Sequence, residues 1–156
     1  MTQPVRYMQK TRDYYFAQGF EKPYRWAQND ITPWHRLTKP LKEATVAFIT
    51  TAVPDGDIPK LSRTASSHTI NNLPETFRTD ELSWDKEATH TRDKDTYIPL
   101  RALQALEVDC VIGRLAKRFH FVPTEYSQTN TINIDAPAIL KACQEDEVDI
   151  AILVPL

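Results

Sequence analysis

Two runs in this sequence leave the chain little conformational choice. Thr45-Val-Ala-Phe-Ile-Thr-Thr51 and Asp149-Ile-Ala-Ile-Leu-Val154 are rich in β-branched and apolar residues and show almost no polar alternation. Runs this apolar, uncharged apart from the leading Asp149, predict strands covered on both faces, as in parallel sheets packed under helices. The second run therefore reads as a core strand close to Leu156.

Between the two runs the periodicity changes. Leu100, Leu103 and Leu106 form an apolar stripe after Pro99, which predicts a helix over 97–107 opened by Asp95 or Thr96. Leu115, Lys117, Phe119 and Phe121 alternate with Ala116, Arg118, His120 and Val122, which predicts a strand over 116–122. Asp135 reads as the N-cap of a helix to about Glu145, with Pro137 in its first turn and Ile139, Leu140 and Cys143 facing inward. Strand, helix, strand, helix, strand predicts a three-layer α/β fold, mainly a parallel sheet with covering helices. Right-handed crossovers would bring the carboxyl ends of its strands to one edge, where ligands gather in such sheets. A sheet that stops at Pro155-Leu156, with no later helix, is expected to lack its carboxyl-terminal part.

A chain of 156 residues suits one domain, taken here as 1–156. Within it, 1–43 reads as an N-terminal helix over 5–18, stopped at Gly19, and a wrap rich in aromatics and proline. Residues 52–95 form a long polar connection, a length that usually signals short elements or a binding surface.

Charge and motifs exclude several functions. Nineteen basic and twenty-one acidic residues leave a net charge of −2 without a basic stripe, so nucleic acid is not expected as a partner. No apolar run approaches a membrane span, and the charged amino terminus is no signal peptide, so a cytoplasmic protein is expected. With three glycines in the chain there is no phosphate-cradling loop. Cys110 and Cys143 read as reduced core thiols, and the four histidines lack metal-ligand spacing.

Four polar positions or runs stand out as candidates. His90 could donate or accept a proton while held by Asp93 or Asp95, or it could belong to a solvated loop. Arg78 could hold a substrate carboxylate as a buried fork, or lie on the surface. His120, near the end of its strand, could act in catalysis or be a satisfied core histidine. Ser66-Ser67-His68 places hydroxyls beside an imidazole, but adjacent residues rarely adopt the geometry of a triad.

The segments Lys39-Pro-Leu-Lys-Glu-Ala-Thr-Val-Ala-Phe-Ile-Thr-Thr51, Thr76-Phe77-Arg78 and Thr89-His90 through Asp93 and Asp95 to Pro99-Leu-Arg-Ala-Leu103 occur in a familiar order. With Val111-Ile-Gly113, Phe119-His120-Phe121 and Glu147-Val-Asp-Ile-Ala-Ile-Leu-Val-Pro155, the chain from about residue 39 resembles the selenoprotein B family of glycine, sarcosine, betaine and D-proline reductases. The resemblance implies a flavodoxin- or Rossmann-like sheet and an oxidoreductase that cleaves a C–N bond reductively with dithiol electrons. It implies a selenocysteine, or a cysteine, immediately after Leu156, and no cofactor within this chain. It also implies an amino acid or amine substrate held on a pyruvoyl group of a partner subunit, with His90, Asp93 and His120 in proton transfer and Arg78 on the substrate anion. The 156-residue form is then expected to be inactive, and, separately from the resemblance, an exposed sheet edge at 149–154 is expected to favour homo-oligomers. Open alternatives are a non-catalytic module binding a small molecule or partner, and an enzyme using His90, Asp93 and His120 without a chalcogen.

Overall fold

The computed structural model describes residues 6–22, 25–54, 64–78, 92–124 and 127–156, without the side chains of Pro54 and Arg78. The chain divides into two compact units, Met1–Trp34 and His35–Leu156.

The first unit is built on α1 (Tyr7–Ala17). Gly19, at φ +88°, turns the chain out of the helix as expected. The Gly19 and Phe20 amides return to the carbonyls of Phe16 and Tyr15, at 3.0 and 3.1 Å. This is a Schellman cap, which needs a left-handed residue at that position.

The second unit is the α/β body. Its elements are β1 (Thr45–Thr50), β2 (Val53–Pro54), β3 (Ser66–Thr69), β4 (Phe77–Arg78), α2 (Leu100–Val108), β5 (Arg114–Leu115) and β6 (Arg118–Phe121). They are followed by α3 (Gln128–Asn130), a π-helical turn (Thr131–Asp135), α4 (Ala136–Glu145) and β7 (Ile150–Val154). β1 is central and every one of its residues is buried, as its uncharged sequence requires. It pairs in parallel with β5 and β6 on one side and with β7 on the other. β3 joins β6 antiparallel, so the sheet is mixed but mostly parallel.

The strand expected over 116–122 is in two parts. From the pairing Thr45↔Arg114 to Ile49↔His120, β1 advances four residues and its partner six, a bulge around Ala116 and Lys117.

Helices cover both faces. On one face Val46, Phe48 and Phe119 pack with Leu103 of α2 and with Tyr97, Ile98 and Ile112. The Phe48 and Phe119 rings stack at 5.3 Å. On the other, Ile49 packs with Ile139 and Cys143 of α4.

Four local expectations are corrected. β7 is not a core strand: it has one neighbour among the described residues, and Ile152 and Leu153 are 38% and 72% exposed. Leu140 faces solvent rather than the core, because α4 overhangs the sheet on the β7 side. Asp135 is not an N-cap. Ser127 opens the helical path, its hydroxyl accepting from the Asn130 amide at 3.2 Å, and the path continues through the π turn. Asp135 lies inside it with helical backbone, and its Oδ1 accepts from the Ala65 amide at 3.0 Å. Cys110 is exposed and takes φ +55°, ending α2 in a Schellman cap where glycine is usual.

Candidate functional site

Because β1, β6 and β7 are parallel, their carboxyl ends share one edge, and β3 enters the sheet from that edge. Thr51 closes it. Its hydroxyl accepts from the Leu156 amide at 2.8 Å and faces the Leu156 carbonyl at 3.3 Å. Directly beyond, β2 and β4 pair antiparallel with Val53 opposite Arg78, so the Arg78 backbone reaches the edge to which β7 delivers Leu156. Phe77 anchors this pair by burying its ring edge-on against Tyr97 at 5.8 Å.

His90 lies outside the described residues, as does the Arg78 side chain. Asp93 opens a 3₁₀ turn over Lys94–Thr96, its carboxylate accepting from the Asp95 amide at 3.2 Å. Asp95 is paired with Arg101, and this cation holds its carboxyl below the usual carboxylate range. Burial, then the Asp93 charge, raises the neighbouring Tyr97 phenol.

His120 is fully buried, on the sheet face covered by α4. It lies opposite Ser67 across β3 and β6, and Ser67 Oγ meets its Nδ1 at 2.9 Å. Burial is the main cause of its depressed pKa, followed by the Arg118 cation. Arg118 bonds the Asp146 carboxylate at 2.7 Å and Glu145 at 3.1 Å. The structure thus brings Arg78 backbone and Leu156 to one edge and sets His120 inside the α4 layer.

The Ser66-Ser67-His68 run, discounted as a triad for its adjacent residues, does form a second serine–histidine pair, between next-but-one residues. Ser66 Oγ stands 2.7 Å from His68 Nε2, and the His68 ring packs on Phe119 at 5.4 Å. Partial burial lowers the His68 pKa, favouring the neutral ring. The signal was the period of two along a strand, which puts residues 66 and 68 on one face and 67 on the other.

Among the described residues, two cavities stand out beside the sheet. A groove of ≈ 480 Å³ opens between α4 and β7, lined by Ile49, Val122, Ile139, Cys143, Ala151 and Leu153 among others. Burial pushes the Cys143 thiol up, the reverse of what a reactive thiolate needs. The other cavity, ≈ 400 Å³ at the amino edge, sets Arg114 and Lys117 against Glu107, Glu145, Asp146 and Glu147. Among the described residues no three His, Cys, Asp or Glu side chains gather as metal ligands, and no helix is long and apolar enough to cross a membrane.

No family model matches the chain, and no curated protein or solved structure matches it.

Proposed function

We propose that this chain is the substrate-side platform of a selenol- or thiol-dependent reductase of the glycine, sarcosine, betaine and D-proline reductase type. The observation that carries the reading is the shared carboxyl edge, where Thr51 holds Leu156 and Arg78 pairs with Val53 two residues further on. A residue following Leu156 would emerge there, beside the backbone of the proposed anion-binding arginine. A selenolate or thiolate in that position would supply the nucleophile that displaces the substrate amine. Arg78 would hold the substrate carboxylate, and His90 with Asp93 would pass a proton to the departing amine. The pyruvoyl group belongs to the proposed partner subunit.

The gene tests this directly. A UGA codon after that of Leu156, with an open frame continuing past it, is the expected finding, or a cysteine codon at that place. Any other residue there, or an ordinary stop, refutes the reading. Full-length protein with its partner subunits should cleave the α-C–N bond of one of the four substrates reductively, releasing the amine or, for D-proline, opening the ring, and only when a dithiol is present.

The groove between α4 and β7 favours a second reading, a non-catalytic module that binds an apolar ligand. Binding of apolar probes abolished by Leu153→Lys, with no downstream selenocysteine or cysteine codon, would select it.

A further inference from the structure

β7 is the open side of the sheet. Among the described residues it pairs only with β1, and their ladder shows which of its backbone groups are left over. The Asp149 amide bonds the Thr45 carbonyl at 2.9 Å. Successive residues of a strand turn their N–H and C=O groups to alternate sides, so Ala151 and Leu153 also bond toward β1. Ile150, Ile152 and Val154 therefore turn theirs outward.

Nothing along this edge keeps a second strand away. Proteins that guard such edges place a lysine, a proline or a bulge there. β7 has none of these from Ile150 to Val154, and its Ile152 and Leu153 side chains stand in solvent. α4 overhangs the same edge, with Leu140 58% exposed and the groove of ≈ 480 Å³ beneath it.

We propose that β7 pairs antiparallel with β7 of a second copy, about a two-fold axis beside Ile152, so that two sheets become one. The strand is self-complementary in this register. Ile152 meets the partner's Ile152, and Ile150 meets the partner's Val154. These are the outward-facing residues, and each such pair exchanges two hydrogen bonds. On the α4 face Leu153 stands opposite the partner's Ala151, large against small. An isologous contact sets like against like, so it suits a patch without charge. Residues 150–156 carry none, in a chain whose net charge is −2. Asp149, the nearest charge, falls opposite the partner's Pro155 and is paired with Lys39 at 2.9 Å.

Size brings α4 into the interface. A five-residue strand edge, about 17 Å long and about 10 Å thick, presents roughly 170 Å². A stable interface takes about 800 Å² from each partner. The remainder has to come from the apolar start of α4, Ala136-Pro-Ala-Ile-Leu140, exposed except at Ile139. Its overhang roofs the place that the partner's strand would take. The proposal concerns the 156-residue chain and is independent of the reductase reading.

Sedimentation of the full chain over a dilution series should show a particle of twice 18.0 kDa that dissociates to the monomer. Hydrogen exchange reads the register. The Ile150, Ile152 and Val154 amides should be slow in the dimer and lose that protection on dilution, while those of Ala151 and Leu153 stay slow throughout. Ile152→Lys and Ile152→Glu each set like charges across the axis and should weaken the dimer by about 100-fold. An equimolar mixture of the two should restore it as a heterodimer. Ile152 packs into neither core among the described residues, so both variants should keep the wild-type circular dichroism. A monomer at every concentration overturns the proposal. So does a dimer whose Ile150, Ile152 and Val154 amides exchange freely, one that both variants leave intact, or a mixture of folded variants that stays monomeric. Should a variant fail to fold, exchange in the wild-type protein decides alone.

Discussion

Removing the Asp149 carboxylate should detach the start of β1 from the start of β7. Its Oδ2 accepts from the Thr45 amide at 2.8 Å and from Lys39 Nζ at 2.9 Å, while the Asp149 amide returns to the Thr45 carbonyl at 2.9 Å. Two contributions can be separated. Thr45 is 4% exposed, so Asp149→Ala leaves a buried N–H unsatisfied, at about 1–3 kcal/mol. The Lys39 ion pair is half in solvent, with side chains 40% and 20% exposed, and is worth about 0.2–1 kcal/mol. Asp149→Ala is therefore expected to cost about 2 kcal/mol, and Lys39→Met about 0.5 kcal/mol. In urea unfolding with a slope of about 2 kcal/mol per molar, these shift the midpoint by about 1 M and about 0.25 M. Raising the salt concentration should shrink the Lys39→Met effect and leave most of the other. The Thr45 bond first, then Lys39, holds the Asp149 pKa below its ordinary value. Its contribution is thus complete above the unfolded carboxylate pKa and disappears as pH falls through the folded one. Equal midpoint shifts for Asp149→Ala and Lys39→Met would refute the assignment of the main role to the backbone bond.

Four further outcomes are expected. In Gly113→Ala the new Cβ would lie 2.5 Å from the Glu43 carbonyl carbon and 2.8 Å from the Ala44 nitrogen, both backbone; a loss of about 1–3 kcal/mol should appear in thermal unfolding. Cys110→Gly relieves a left-handed residue at φ +55° and should stabilise by about 1 kcal/mol in urea. Glu147→Gly relieves a second such residue but also removes the ion pair with Arg114, so its gain should be smaller. Burial lowers the pKa of both His68 and His120, so the unfolded chain binds more protons as acid is added. Stability should be full above the unfolded histidine pKa of about 6.5 and decline as pH drops below it, as followed by urea midpoints across that range.

The parts of this fold legible in the sequence are those fixed by local chemistry. β1 is readable because six consecutive residues without charge can only be buried, and they are. The cores of α2 and α4 are readable because Leu103, Ile139 and Cys143 recur at helical spacing, and all three are buried. What local chemistry cannot supply is the number of neighbours. β7 has the composition of a central strand and the surroundings of an edge one, and Leu140 misleads for the same reason. Asp135 followed by a proline has every mark of a helix start, and only the tertiary position of Ala65 reveals its actual partner. At the site, the shared strand ends follow from the strand order, but the place of Arg78 does not, because its backbone pairs with Val53 in a separate two-stranded sheet within the polar connection. The Ser66–His68 pair follows from the strand period once 66–69 is known to be a strand, whereas the Ser67–His120 pair depends on which neighbour β3 meets.

The wide separation of β1 from β7 bears on how the protein is made. Thr45 and Asp149, bonded to one another, are 104 residues apart. A nascent chain emerging from a ribosome therefore carries β1, an uncharged and largely apolar strand, long before the partner on that side has been translated. Pairings so distant in sequence form slowly, and an exposed β-branched run is open to aggregation in the interval. Yield in cells should thus depend more on chaperone supply during synthesis than the stability of the finished molecule alone would indicate.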